Sequence, residues 1–206
     1  MIRFDREVKE RELILAMLDM FQDVVLGLND EDGYPYLVPL NYGYEANEEG
    51  LQVYIHFTKK MGLKQKLMRR DPRVCLQFSE FNDFPDRPWK KHLHDYRSVT
   101  AKGLVDAIVD GTEDEESYAI YKRGYNLLYL CNGRPLKPLE ERKVMPAMYI
   151  ARIRCPWDKI TAKSEFPLRT VEDVPFIDVY AMEDDDTPFD ISDIIARRVA
   201  EKKAGK

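Results

Sequence analysis

Residues 24–58 read VVLGLNDEDGYPYLVPLNYGYEANEEGLQVYIHFT. Three apolar runs rich in Val, Tyr and Leu (24–30, 34–45 and 51–58) are separated by two clusters of Asp, Asn, Glu and Gly, which is how strands joined by turns are written. The stretch predicts a three-strand antiparallel meander. Pro35 and Pro39 cannot donate to a sheet ladder, so the second strand is expected to have an irregular middle. Such irregular strand segments are common beside ligands.

On the N-terminal side, Leu13, Ile14, Met17, Leu18 and Phe21 recur at spacings of three and four, which predicts an amphipathic helix over residues 5–21. On the C-terminal side, KKMGLKQKLMRRDP predicts a short basic helix over 61–70, stopped by Pro72. RVCLQFSEF returns to strand. Residues 82–94 form a polar, proline-broken connection that carries Phe84 and Trp89, either a lid over a pocket or a cover for the end of the fold. YRSVTAKGLVDAIVD reads as a long strand weakened at Gly103, residues 113–131 as a helix and AMYIARIR as a sixth strand. Strands without βαβ alternation predict a mainly β fold with flanking helices: a six-stranded antiparallel barrel. Residues 1–163 form this domain. Residues 164–206 read as an arm, with an acidic turn at Glu183, Asp184, Asp185 and Asp186 and a final helix near 191–203 capped by Asp190, packing on the barrel or on a partner subunit.

The 206 residues are 44% hydrophobic and 33% charged, enough apolar material for one core and too much charge for a membrane bundle. A net charge of −5 gives no reason to expect nucleic acid or an anionic membrane as partner. There is no transmembrane-length apolar run, and the opening MIRFDREVKERE lacks the apolar centre of a signal peptide, so the expected location is the cytoplasm. Cys75, Cys131 and Cys155 lack metal-ligand spacing and read as reduced thiols.

By period-2 alternation Tyr54, His56 and Thr58 share one face of the third strand, and Lys59, Lys60, Gly62 and Lys64 follow at once into the basic helix. A helix N-terminus offers unpaired N–H groups; with a hydroxyl, two or three ammonium groups and a glycine allowing close approach, it makes a site for a phosphate dianion. The other reading is a solvated basic helix face. His92 and His94 stand two apart and with His56 could form a three-histidine metal site, but hydrogen bonding at a pocket mouth is the reading preferred, and no metal is expected. Tyr118, Tyr121, Tyr125 and Tyr129 recur at helical spacing and read as a packing stripe. Trp157 is open between touching a ligand and filling the core.

The order of opening helix, LGLNDEDGYPYLVPLNYGYE, YIHFT, Thr58 to Lys64, LMRRDPRVCLQF and RSVTAKGLVD resembles the pyridoxamine 5′-phosphate oxidase-like family of FMN-binding split barrels, nearest its nitroimidazole-reductase branch. The resemblance covers roughly residues 5–163. It implies a split barrel and a homodimer with two FMN sites at the interface. Val38, Pro39, Leu40 and Asn41 would lie along the isoalloxazine ring; Thr58 and Lys64, with Lys59 or Lys60, would hold the phosphate. Tyr96, Arg97 and Ser98 would approach from the strand near the interface, with Arg97 or a backbone N–H stabilising the reduced ring. In that branch a histidine precedes the phosphate-binding lysine by one residue less than His56 precedes Lys64 here. His56 therefore stands as a candidate beside the flavin, and the candidate catalytic residue, or as a structural strand histidine. The activity implied is an FMN-dependent oxidoreductase, drawing on NAD(P)H or another donor to reduce a small organic acceptor such as a nitroaromatic. A flavin-binding protein without turnover, or a haem protein with His56, His92 or His94 as axial ligand, is the alternative. Pyridoxamine-phosphate oxidation is less favoured, because a second phosphate would have only Arg87, Lys90, Lys91 and Arg97 to hold it.

Overall fold

The computed structural model describes residues 6–82, 95–131, 144–166 and 168–175. Among them are helices α1 (Arg11–Met20), α2 (Leu63–Arg70) and α3 (Glu115–Cys131). The first five strands are β1 (Glu7–Val8), β2 (Val24–Asn29), β3 (Pro35–Leu40), β4 (Tyr42–Ala46) and β5 (Gly50–Thr58). They are followed by β6 (Arg73–Asn82), β7 (Asp95–Val109), β8 (Met148–Pro156) and β9 (Ile160–Ser164). The chain divides into two compact units, one of Met1–Met20, Glu80–Ser98 and Ala162–Lys206, the other of Phe21–Ser79 and Val99–Thr161.

The second unit is a mainly β fold with the strand order β3-β2-β6-β7-β8-β5-β4. Its two end strands are consecutive in sequence, with Asn41 alone between them. Two Cα–Cα steps span at most roughly 7 Å, so the sheet has to roll until its ends stand side by side. The antiparallel barrel is thus closed by the chain itself. This corrects the expected meander. The run 34–45 is two strands, β3 paired with β2 from Val24↔Leu40 to Asn29↔Pro35, and β4 paired with β5 from Tyr42↔Ile55 to Ala46↔Leu51. The irregular middle expected from the prolines is the point at which the chain changes partners. Among the described residues β3 is an end strand of the sheet, the position where a proline is tolerated.

Alternation fills the interior. Leu26, Val53, Ile55, Leu76, Phe78, Ala151 and Ile153 are completely buried, and the Tyr42 ring meets Phe78 edge-on at 4.8 Å. Tyr42 brings a hydroxyl into this core, where it donates to the Phe21 carbonyl at 3.1 Å. The outer face of β4, β5 and β8 carries α3, with Tyr54, Tyr121, Tyr125, Leu128 and Ile150 forming a second apolar cluster. Two glycines allow the helix to lie that close: a Cβ at Gly43 would come within 2.4 Å of the Leu127 backbone, and one at Gly124 within 2.6 Å of the Tyr54 ring. The long strand β7 is irregular between Val105 and Ala107, two residues beyond the weak point expected at Gly103. A 3-10 turn at Trp157–Lys159 follows β8, and its Trp157 indole donates to the Asn47 carbonyl at 2.9 Å, tying down the β4–β5 turn.

The other unit is built on α1, whose Leu13, Ile14, Met17 and Leu18 are buried and which meets the turn Val171–Asp173. It contains the pair β1–β9, in register Glu7↔Lys163 and Val8↔Ala162. These two strands, with the division of the middle run, account for nine strands among the described residues where six were expected; β1, with two residues, has no periodicity to read, and the five-residue β9 was not read from the sequence. α1 starts at Arg11, later than expected. The acidic turn at 183–186 and the final helix near 191–203 lie outside the described residues.

Replacing Gly43 with Ala is expected to destabilise the chain by about 1–3 kcal/mol, because a backbone rather than a flexible side chain has to yield. Urea unfolding checks this. A Gly43→Ala variant as stable as the parent would mean that α3 is not seated as described.

Candidate functional site

Asn41, at the change of partners, and His56, on the outer face of β5, line one cavity of about 320 Å³. Its other walls come from α3, through Tyr125, Leu128 and Tyr129, and from Met145 and Met148 at the start of β8. Pairing of β5 with β8 sets His56 opposite Ile150 and Thr58 opposite Met148, which brings the end of β5 to the cavity rim. Among the described residues, no carboxylate lines the cavity.

The chain then turns into α2. Gly62 is its N-cap and brings no side chain to bond the first amides, and nothing lies within 4 Å of where a Cβ would stand. Thr58 is exposed, its Oγ1 accepting the Lys60 N–H at 3.3 Å, and Lys60 is exposed. The buried Gln65 amide donates to the Thr58 carbonyl at 2.8 Å and fixes the strand end against the helix. Lys64 is half-buried with its Nζ 5.2 Å from the Phe57 ring centre, and burial lowers its pKa. The same ammonium reaches His56: burial first, and Lys64 second, push the imidazole pKa below its ordinary value. A neutral imidazole thus stands between an apolar cavity and a cationic turn.

Not all the residues singled out by sequence come together here. Lys59 is committed elsewhere, to Asp110 at 2.7 Å, and this pair holds the Asp110 carboxyl down at about 2. Tyr54 is buried beneath α3 and donates to Glu45 Oε1 at 2.8 Å, while Arg123 holds the same carboxylate at 2.6 Å. Burial raises the Tyr54 pKa and keeps the phenol protonated. It is a packing residue, despite its alternation with His56. Val38 and Leu40 are half-buried and Pro39 is exposed on β3. Arg97 and Ser98 belong to the other unit. The Arg97 guanidinium is fully buried, paired with Asp95, and donates to the Val174 and Asp173 carbonyls at 3.2 and 3.3 Å. Its donors are already used in structure, which removes it as a charge partner for a ligand. Ser98 is half-buried. Phe84, Trp89, His92 and His94 lie outside the described residues, and among the described ones no three metal-ligating side chains gather.

Sequence reading missed the α3 and β8 walls. The signal was present in the tyrosine stripe: a packing face has no need of hydroxyls, and Tyr125 and Tyr129 line the cavity. A wider, shallower groove of about 730 Å³ runs past Gly27, Leu37, Cys75 and Leu104, but none of the residues expected at the site reaches it.

The comparisons with known proteins agree on the fold. The family model for pyridoxamine 5′-phosphate oxidase matches residues 10–153. The chain belongs to this family. Among solved structures it is similar to a proposed 5-nitroimidazole antibiotic resistance protein from Bacteroides thetaiotaomicron, at 19% identity and a TM-score of 0.58 over 77% of this chain and 86% of that one. It is also similar to an FAD-binding protein from Mesorhizobium loti, at 19% identity and a TM-score of 0.51, covering 77% of this chain and 96% of that one. An FAD and haem binding protein from Mycobacterium smegmatis is similar at 18% identity and a TM-score of 0.52, over 82% of this chain and 78% of that one. No match was found among curated proteins. Among the described residues, no helix of this family member is long and apolar enough to cross a membrane.

Because His56 is neutral in the folded chain at pH values where an unfolded histidine is protonated, it makes stability fall as pH drops below about 6.5. Lys64→Met, which keeps the apolar stem, is expected to raise the His56 pKa without restoring it fully, since burial is the larger cause. Titration of the His56 imidazole by NMR reads this directly. An unchanged value would separate Lys64 from the site.

Proposed function

We propose that this chain binds flavin mononucleotide between the cavity and the α2 turn and works as a flavin-dependent oxidoreductase on small, flat organic acceptors. The observation that carries the reading is the juxtaposition of two unlike environments. An apolar cavity holding Asn41 and His56 adjoins an uncapped helix start with Thr58, Lys60 and Lys64. A flavin mononucleotide has the same two ends, a flat ring system and a single phosphate. The open space at Gly62 and the half-buried Lys64 fit the phosphate, and the absence of a carboxylate among the described lining residues suits a ring that gathers negative charge on reduction. One such cationic cluster supports a mononucleotide over a dinucleotide. The flavin-binding proteins of similar fold add support for the cofactor class, and the 5-nitroimidazole resistance protein for nitroaromatics among the acceptors.

Bound there, the flavin would supply the electron-transfer chemistry. The protein's share is to seat the ring and exclude water with Leu128, Met145 and Met148, and to keep His56 neutral as a hydrogen-bonding group. NAD(P)H or another reductant serves as donor. The working form in this reading is a homodimer, the second copy covering the exposed side of each site. The protein acts in the cytoplasm.

The test is an absorption spectrum of the purified protein, repeated after loading with FMN and removing the excess. A retained flavin spectrum is expected, with affinity reduced about tenfold or more in Lys64→Ala through loss of a charge-assisted contact. A protein that retains no flavin at micromolar concentration would overturn the reading, and a Soret band would replace it with the haem alternative.

A further inference from the structure

Residues 59–70, KKMGLKQKLMRR, hold Lys59, Lys60, Lys64, Lys66, Arg69 and Arg70 and no carboxylate, in a chain that is acidic overall. The fold turns this run outward. α2 buries Gln65, Leu67 and Met68 and leaves Leu63, Lys66 and Arg69 exposed at spacings of three, with Arg70 beside them. Ahead of the helix Lys60, Met61 and Gly62 are exposed as well, and the space where a Cβ on Gly62 would stand is open. Two of the cations are matched, Lys59 by Asp110 and Arg70 by Glu31, each at 2.7 Å. Among the described residues the others have no ion-pair partner: Arg69 holds its guanidinium 5.9 Å from the centre of the Tyr149 ring, and Lys64 its ammonium 5.2 Å from that of Phe57.

The apolar members of this corner are what its charge does not explain. Met61 is 55% exposed and Leu63 46%, one on each side of Gly62. A single exposed apolar side chain is ordinary; two together on an open turn, set among unmatched cations, point to a surface that takes both. A nucleic acid would satisfy the cations, but its bases favour flat rings and hydrogen-bonding groups over aliphatic chains. An acidic protein would need a pocket shaped to two flexible side chains. An anionic lipid layer admits apolar side chains of any shape beneath its headgroups, while lysine and arginine stay at the level of the phosphates.

We propose that the β5–α2 corner is a membrane-docking surface, with Met61 and Leu63 entering the headgroup–acyl boundary of an anionic lipid layer and Lys66 and Arg69 holding its phosphates. The contact is peripheral and reversible, since a few cations and two apolar side chains make a weak anchor. The net charge of −5 does not oppose it, because at physiological salt charges act over about 8 Å and a lipid surface meets this cluster alone. The proposal does not rest on the flavin reading, to which Met61, Leu63, Lys66 and Arg69 contribute nothing.

The test floats the full-length protein with vesicles of phosphatidylcholine alone and with vesicles in which phosphatidylglycerol replaces a third of that lipid. The parent is expected to bind the anionic vesicles about tenfold or more tightly than the neutral ones, and to lose most of that binding in high salt. Lys66→Gln combined with Arg69→Gln should weaken binding by about tenfold, and Met61→Ser combined with Leu63→Ser by a similar factor. All four positions are exposed, and thermal melting checks that the variants fold. A readout without substitution uses protein labelled with 13C at the methionine methyls, on nanodiscs of the anionic mixture spin-labelled in the acyl chains. The Met61 resonance should broaden more than those of the buried Met17 and Met68. A parent that does not prefer anionic vesicles, either double variant binding as the parent does, or a Met61 methyl that the spin label leaves sharp would overturn the proposal. Tighter binding of duplex DNA or polyglutamate than of the anionic vesicles would overturn it too, by giving the corner to a soluble polyanion. Failure on vesicles leaves the flavin reading standing, and a parent that retains no flavin leaves the vesicle result standing.

Discussion

A single residue of chain, Asn41, joins the two strands that end the barrel's hydrogen-bonding order. Everything at the candidate site depends on this constraint. A sheet whose first and last strands are covalent neighbours has no freedom to stay open, so its curvature is imposed by connectivity and then filled by the alternating Leu, Val and Ile of its inner face. Asn41 stands at the seam between these two strands and lines the cavity, and β5, paired to β4, brings His56 to the same place.

The second constraint is the helix. α3 is held against β4 and β5 by contacts that only glycine permits, at Gly43 and Gly124. This close approach does two things at once. It buries Tyr54, Ile120 and Ile150 into a cluster outside the barrel, and it leaves the C-terminal part of the helix, with Leu128 and Tyr129, beside the seam. The cavity is therefore the unfilled end of a packing interface rather than an indentation in the sheet. Its walls inherit the apolar character of that interface, and its polar groups are the few that the surrounding elements place at its edge.

Much of the fold was legible because its signals are local. Period-2 runs, turn clusters and the prolines of 34–45 gave the strands and the irregularity between them; the 3.6-residue patterns gave α2 and α3 nearly to their ends. The change of partner at Asn41 was not legible as such, since proline positions report that a ladder is interrupted but not where each half goes. Of the site, His56, Asn41, Thr58, Gly62 and Lys64 could be read from spacing and resemblance because they belong to one continuous stretch, 41–64. Tyr54 misled for a physical reason: alternation puts it on the face of His56, but the same face is covered by a helix at one end and open at the other. Arg97 misled because an arginine's charge says nothing of its partner, and Asp95 stands only two residues away.

The electrostatics follow the same geography. The cationic groups at the β5–α2 turn divide into one that is neutralised, Lys59 by Asp110, and others that are not matched in this way, Lys60 and Lys64. The anionic side chains that flank this region are spent on structure: Glu45 on Tyr54 and Arg123, Asp110 on Lys59, Asp106 on Arg152 and Arg154. What remains at the cavity is a neutral imidazole, an amide, phenols and a local excess of positive charge. Among the described residues lining the cavity there is no carboxylate to serve as general base. The sequence is acidic overall, with a net charge of −5; the positive character of the site is produced by the pairing of its surroundings, not by composition.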